Sequence, residues 1–277
     1  NGGSTSCEAF DFGEVEDYTV VIKTICTDAD NDSVCDDVDV CAGGDDTIDT
    51  NNNGTPDDCE PARIGVKVFL EGAYDGLGQM RNDLNTKNLL PLQHPYTAAP
   101  YNMPAITLGS IPAQMVDWII VEVRSGTNNT DIVESHVGLL MTNGSVKDTD
   151  GISDLLFNLP VGGSYYVVVR HRNHLDVMSS TAVPRSVNMT YDFTTNVAQG
   201  FSNKQKALID GNAAMFTGDN TQDLVIQLTD FDVWKQAPAQ LNVYNLADLN
   251  MDGVVQTTDY DAWESNKSTL APTQLAY

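Results

Sequence analysis

The sequence predicts a mainly β chain: an antiparallel β-sandwich with an irregular Asp/Asn-rich connector before it and a small α-helical module after it. Three observations predict this. Short β-branched and aromatic runs recur between turn signals through residues 61–200. Residues 27–60 hold almost nothing but Asp, Asn, Gly, Thr and Cys. Two closely similar acidic units near the end are each followed by helical spacing.

The sandwich strands can be placed in order. The run from Ile64 to Leu70 alternates, and the run from Met115 to Val123 is long and β-branched. Ile132 to Met141 is followed by Asn143-Gly144 and then Val146. Asn-Gly between two apolar runs is a strong hairpin signal, because both residues tolerate positive φ. Leu155 to Phe157, Tyr165 to Val169 and Val187 to Phe193 add further strands, and Tyr18 to Ile22 predicts one near the start. Residues 71–104 read as a long loop with a short helix, and the spacing from Lys204 to Met215 predicts a helix. The implied segments are 1–26, 27–60, 61–200 and 201–277.

Charge narrows the function classes. Lys and Arg total 14 against 39 Asp and Glu, a formal net charge of -25. Such a chain repels phosphate backbones and anionic lipid, so no nucleic-acid partner is expected and a membrane surface is a poor one. No apolar run is long enough for a membrane span, and no membrane insertion is expected.

The acids are not scattered. Asp28, Asp30, Asp32, Asp36 and Asp39 stand at offsets 0, 2, 4, 8 and 11, and Asp49, Asn51, Asn53, Asp57 and Glu60 repeat those offsets 21 residues later. Asp219, Thr221, Asp223, Gln227 and Asp230 repeat them again, as do Asp248, Asn250, Asp252, Gln256 and Asp259 a further 29 residues on. Ca²⁺ is a hard cation that takes roughly six to eight oxygens at about 2.3–2.6 Å. Alternate side chains on a curled loop can point at one centre. A carbonyl at the seventh position (Val254 in the last loop) and a carboxylate at the twelfth complete the cage. The sixth position needs positive φ. Gly54 and Gly253 suit it, Ser33 is acceptable, and Leu224 is unfavourable. With Thr221, Leu224 makes the Asp219 loop the weakest of the four. Ca²⁺ is the expected cofactor.

All five cysteines, Cys7, Cys26, Cys35, Cys41 and Cys59, lie in the first 59 residues. They form no CxxC pair and have no nearby His, so structural disulfides in an oxidising compartment are expected rather than zinc. Sequence does not fix the pairing. Cys41–Cys59 with Cys26–Cys35 is the expected arrangement, leaving Cys7 over.

Several stretches carry resemblances. DNTQDLVIQLTDFDVWK at 219–235 and DLNMDGVVQTTDYDAWE at 248–264 are one unit written twice, each with an aromatic (Phe231, Tyr260) and a Trp (Trp234, Trp263) after the loop. The pair resembles a dockerin-type module of duplicated half EF-hands. The resemblance implies two bound Ca²⁺ and aromatic packing between paired helices, with Asp248, Asn250, Asp252, Val254 and Asp259 as ligands. Loop positions ten and eleven, Leu228-Thr229 and Thr257-Thr258, would face a cohesin-like partner. Residues 27–60 resemble thrombospondin type 3 repeats. Phe12 to Val20 (FGEVEDYTV) resembles the closing strand of the GEVEDY domain of bacterial surface proteins, implying a chain processed or cut from a longer one. VFLEGAYDG, LLPLQHPY, VDWIIVEVR and YYVVVRHRNHL resemble a β domain of secreted Bacteroidota proteins, which implies the bacterial cell surface and type IX secretion.

No GxSxG, HExxH or phosphate loop is present. Arg170, His171, Arg172 and His174 form the one basic cluster. On a strand, Arg170 and Arg172 would share a face and His171 the other. The cluster reads either as a pocket for a carboxylate, sulfate or sugar, or as arginines pairing with nearby acids, and the second reading is favoured. The expected function is therefore non-enzymatic: a calcium-stabilised structural or adhesive surface protein, self-assembling into a fibre or binding other surface proteins or glycans. The alternative is a calcium-dependent binding module for dockerin-like docking or carbohydrate.

Overall fold

The computed structural model describes residues 26–237 and 239–271. The expected strand Tyr18–Ile22, the stretch Phe12–Val20 and Cys7 lie outside the described residues. In chain order the elements are β1 (Ala62–Lys67), α1 (Asp83–Thr86), β2 (Met115–Arg124), β3 (Ile132–Met141), β4 (Val146–Lys147), β5 (Leu155–Phe157), β6 (Ser164–His171), β7 (His174–Met178), β8 (Val183–Pro184), β9 (Asn188–Asp192), β10 (Lys206–Ala207), β11 (Ala213–Ala214), α2 (Leu228–Gln236), β12 (Gln240–Leu241), β13 (Val254–Val255) and α3 (Thr257–Asn266).

The chain is mainly β, as the sequence predicts. One antiparallel sheet runs β4-β3-β2-β6-β7, with β8 paired to β6. A three-stranded sheet runs β5-β1-β9. The β1–β5 pair is antiparallel, but β1 and β9 run parallel, from Arg63 opposite Asn188 to Lys67 opposite Asp192. A single apolar core joins the two sheets, with Ile64 and Val66 from one and Trp118, Ile120 and Val137 from the other. The Asn143-Gly144 signal marks the β3–β4 hairpin, with Gly144 at φ 83°.

All ten residues of β2 are buried, which explains why its sequence does not alternate. The second face of the large sheet is covered by the C-terminal module. On β6, Val167 and Val169 enter the sandwich core, while Val168 joins Leu224, Ile226, Leu249 and Trp263 in a second cluster. The module and sandwich approach closely here: a Cβ on Gly72 would lie 2.0 Å from the Leu249 carbonyl oxygen.

Two sequence expectations change. The helix expected between Lys204 and Met215 is instead the β10–β11 hairpin. Asp210-Gly211-Asn212 supplies turn chemistry, and the Ala213 and Met215 amides are taken by the Thr194 and Phe69 carbonyls, both at 2.8 Å. Tertiary pairing thus overrides local helix propensity. The basic cluster spans a further hairpin, β6–β7, whose two-residue turn is Arg172-Asn173.

The connector is held by disulfides Cys26–Cys35 and Cys41–Cys59, the expected pairing. Arg185 clamps it to the sandwich. Its guanidinium donates to the Asp58 carboxylate at 2.8 Å and to the carbonyls of Asp57, Asp58 and Glu60 at 3.1, 2.8 and 2.7 Å.

Candidate metal centres

The four loops share one backbone. The sixth position has positive φ in every case: 80° at Ser33, 87° at Gly54, 69° at Leu224 and 79° at Gly253. The fourth position does too, at Asn31, Asn52, Gln222 and Met251. The first carboxylate of each loop accepts the sixth residue's N–H: Ser33 to Asp28 at 3.2 Å, Gly54 to Asp49 at 2.8 Å, Leu224 to Asp219 at 3.0 Å and Gly253 to Asp248 at 2.8 Å. Leu224 therefore takes the glycine conformation, and its side chain lies in the second apolar cluster.

In the first loop, carboxylate oxygens of Asp28, Asp30 and Asp32 lie within 4.8 Å of one another. Asp36 turns back to accept the Ala29 N–H at 2.8 Å. Asp39 Oδ1 is buried without a hydrogen-bond partner. Burial, and then the carboxylates of Asp46, Asp30 and Asp32, push the Asp39 carboxyl up. Asp46 is a neighbour that the spacing argument missed. It sits outside the repeating offsets and reaches the cluster because its N–H donates to Asp32 Oδ2 at 2.7 Å.

In the second loop, Asn51 and Asn53 both direct their amides at the Glu60 carboxylate. The Asn53 N–H donates to Asp49 Oδ1 at 3.2 Å, so Asp49, Asn51, Asn53 and Glu60 converge. Asp57 repeats the part of Asp36, accepting the Thr50 N–H at 2.9 Å.

In the third loop, Asp219, Asp223 and Asp230 bring carboxylate oxygens within 4.8 Å of one another. The Thr221 N–H and hydroxyl both donate to Asp230 Oδ1 at 2.8 Å. Asp219 is 1% exposed. Burial, then the neighbouring Asp176, Asp230 and Asp223 carboxylates, push its carboxyl up to about 8.

The fourth loop repeats the hydrogen bonds to the twelfth-position carboxylate, but Asp248, Asp252 and Asp259 do not bring their carboxylate oxygens together as the first and third loops do. Asp259 Oδ1 accepts the N–H groups of Leu249 and Asn250 at 2.8 and 3.1 Å, and its Oδ2 accepts that of Gln256 at 2.8 Å. Asn250 Oδ1 accepts the Asp252 N–H at 3.0 Å, and the Val254 N–H donates to Asp252 Oδ1 at 2.8 Å. Burial raises Asp248 to about 7 and also lifts Asp259. In the first and third loops three carboxylates converge, Asp219 and Asp230 being buried, and one buried oxygen of Asp39 lacks a partner. That set fits a hard divalent cation far better than it fits solvent.

The basic cluster resolves as arginines paired with acids. Arg170 binds Glu122 at 3.2 Å and also binds Asp176, while Arg124 binds Glu122 at 2.5 Å. Arg172 and His171 meet on one carboxylate, Asp117, at 2.9 and 3.2 Å. They do not lie on opposite faces as strand geometry suggested, because Arg172 lies in the turn. Burial works to raise Asp117, yet Arg172 and His171 hold it at about 2. The same turn grips the module: Arg172 donates to the Asn245 carbonyl at 2.6 Å, and Asn173 to those of Leu246 and Asp248 at 3.2 and 2.9 Å. Gln222 donates to the Arg172 carbonyl at 2.8 Å, so both C-terminal loops are tied to one hairpin turn.

Among the described residues no helix is long and apolar enough to cross a membrane. No protein-family model matches the chain, and no curated protein matches it. Solved structures with some likeness include two complexes from Acetivibrio cellulolyticus. One is the Coh3ScaB–XDoc_M2ScaA complex, a C-terminal interface mutant of a type II Cohesin-X-Dockerin complex, with TM-score 0.40. The other is the XDoc_M1ScaA counterpart, an N-terminal interface mutant, with TM-score 0.38. Each is 14% identical, over 76% of this chain and 97% of that chain.

Proposed function

We propose that this is a non-enzymatic, extracellular, calcium-stabilised structural or adhesive protein of a bacterial cell surface. One observation carries the reading: four loops share a single backbone design, two of them gather three carboxylates each, and the second, third and fourth are hydrogen-bonded to the sandwich. Arg185 ties down the end of the second loop, and the Arg172-Asn173 turn ties down the C-terminal pair. Ca²⁺ in these loops would neutralise part of a chain with net charge -25 and fix the connector and module at set angles to the sandwich. A subunit of an extracellular fibre, exported by type IX secretion, fits a rigid object of this kind. Electron microscopy of the native material with calcium and with EGTA tests the fibre. Filaments that depend on calcium support it. Isolated monomers at high concentration in calcium contradict it.

A second reading has its own observation. Leu228 and Thr229 in one repeat, and Thr257 and Thr258 in the other, are exposed on matching positions. This pair of patches suits calcium-dependent docking onto another surface protein. Capture of a cell-envelope protein that is lost in EGTA, and lost on Thr229→Arg with Thr258→Arg, would favour docking over self-assembly.

A further inference from the structure

Away from the loops, three side chains from distant parts of the chain meet where the sandwich touches the module. Lys206 opens β10, Asn266 is the last residue of α3, and Glu71 follows Leu70 after β1. The Lys206 ammonium donates to Asn266 Oδ1 at 2.7 Å and lies 2.7 Å from Glu71 Oε1. The Asn266 amide donates from Nδ2 to Glu71 Oε2 at 2.5 Å and to the Thr217 carbonyl at 2.9 Å. One carboxylate therefore touches both nitrogens, one with each oxygen. Asn266 is 2% exposed, and the Phe216 ring centroid lies 5.9 Å from the Lys206 nitrogen.

A plain salt bridge would not need this third partner. A lysine nitrogen held against an amide carbonyl, with a shared carboxylate on the amine and on the amide nitrogen, brings a nucleophile, an acyl group and a proton carrier together. We propose that Lys206 and Asn266 join through an intramolecular isopeptide bond, with Glu71 moving the protons. Glu71 Oε1 takes a proton from the Lys206 ammonium. The neutral amine attacks Asn266 Cγ, forming the new C–N bond. Glu71 returns that proton to Nδ2, the C–N bond to Nδ2 breaks and ammonia leaves; the Glu71 carboxylate then takes the second proton from the attacking nitrogen and passes it to the ammonia. The lysine ammonium and the amide become a secondary amide and an ammonium ion, so atoms and charge balance. No oxidant, reductant or co-reactant is needed. The fixed geometry replaces an encounter between two groups 60 residues apart. The bond ties the β10 hairpin, and with it the sandwich core, to the far end of the calcium module.

The test is the intact mass of the full chain, folded in calcium, then reduced and denatured. The expected mass is about 17 Da below that of the linear reduced sequence, one ammonia lost. Proteolysis is expected to give one branched peptide holding Lys206 and Asn266. Glu71→Gln, Lys206→Arg and Asn266→Ala, each verified as folded by circular dichroism, are expected to keep the linear mass. A wild-type chain at its linear mass, with separate linear peptides for both residues, overturns the proposal. So does a gain of about 1 Da from simple deamidation of Asn266. A folded Glu71→Gln chain that still carries the branched peptide overturns the part given to Glu71. The outcome is independent of whether the loops bind calcium, because the readout is covalent.

Discussion

Trp234 and Trp263 do the same work on each other's repeat. The Trp234 indole N–H donates to the Gln256 carbonyl and the Trp263 indole N–H to the Gln227 carbonyl, both at 3.0 Å. Gln227 and Gln256 precede α2 and α3 and end their acidic loops, so each helix reaches across to close the other's loop. Phe231 and Tyr260 fill the space between, with Phe231 5.1 Å from Trp263 and Tyr260 5.4 Å from Trp234. Trp263→Ala should therefore weaken both loops together. We expect a loss of about 3–5 kcal/mol from the cavity and the broken bond, read by thermal melting. Trp263→Phe should lose less, roughly 1–3 kcal/mol, because the smaller ring keeps part of the packing while the hydrogen bond and the rest of the indole go.

Leu224 sets two effects against each other. Its φ of 69° costs about 1–2 kcal/mol for a residue with a Cβ. Its side chain is 8% exposed in the second cluster, which stabilises by about 1.5–3 kcal/mol. Burial wins, so Leu224→Gly should lower stability slightly while leaving the Asp219 loop intact. A clear rise in melting temperature would show that backbone strain is the larger effect.

His171 and His174 give a pH dependence. Burial holds both below the ordinary 6.5, His174 well below. His171 faces Asp117, Arg172, Asn173 and His174, and His174 faces Asn173 and the Gly72 N–H. In the unfolded chain both take protons that the folded chain refuses. Stability in saturating calcium should therefore be complete above about pH 6.5 and fall as the pH drops below it. Asp117 adds a further loss as the pH falls from 3.8 towards about 2. Replacing both histidines by Asn should flatten the first step, read by denaturant melts between pH 5 and 8.

Arg185 is the connector's clamp, with one guanidinium serving a carboxylate and three carbonyls. Arg185→Ala should leave the sandwich's stability within about 1 kcal/mol of wild type in EGTA, yet expose residues 27–60 to protease. An unchanged cleavage pattern would mean that the disulfides alone position the connector.

Much of this was legible because it depends on period and spacing. Alternation from Ile64, the Asn143-Gly144 turn and the repeated offsets each have a local physical cause. What was not legible depends on partners distant in sequence. Nothing near Asp117 or Glu122 says that these acids are buried. That follows from Arg170 and Arg172 arriving across the sheet. The β10–β11 hairpin was hidden by helix-compatible residues that pair with Phe69 and Thr194. Asp46 joins the first loop only through the folded path of the connector. Leu224 reads as unfavourable because sequence shows its backbone cost and not the apolar cluster that offsets it.

Under the proposed function, Ca²⁺ binds the four loops only in the folded chain. The most direct test is the melting temperature of the full chain after exhaustive EGTA dialysis, compared with the same sample in millimolar Ca²⁺. A ligand present at 100 times its Kd stabilises the folded state by about 2.7 kcal/mol per site, so several sites predict a rise of many degrees. Asp49→Ala, Asp219→Ala and Asp248→Ala should each remove part of that rise. An identical melting temperature with and without calcium would contradict the account.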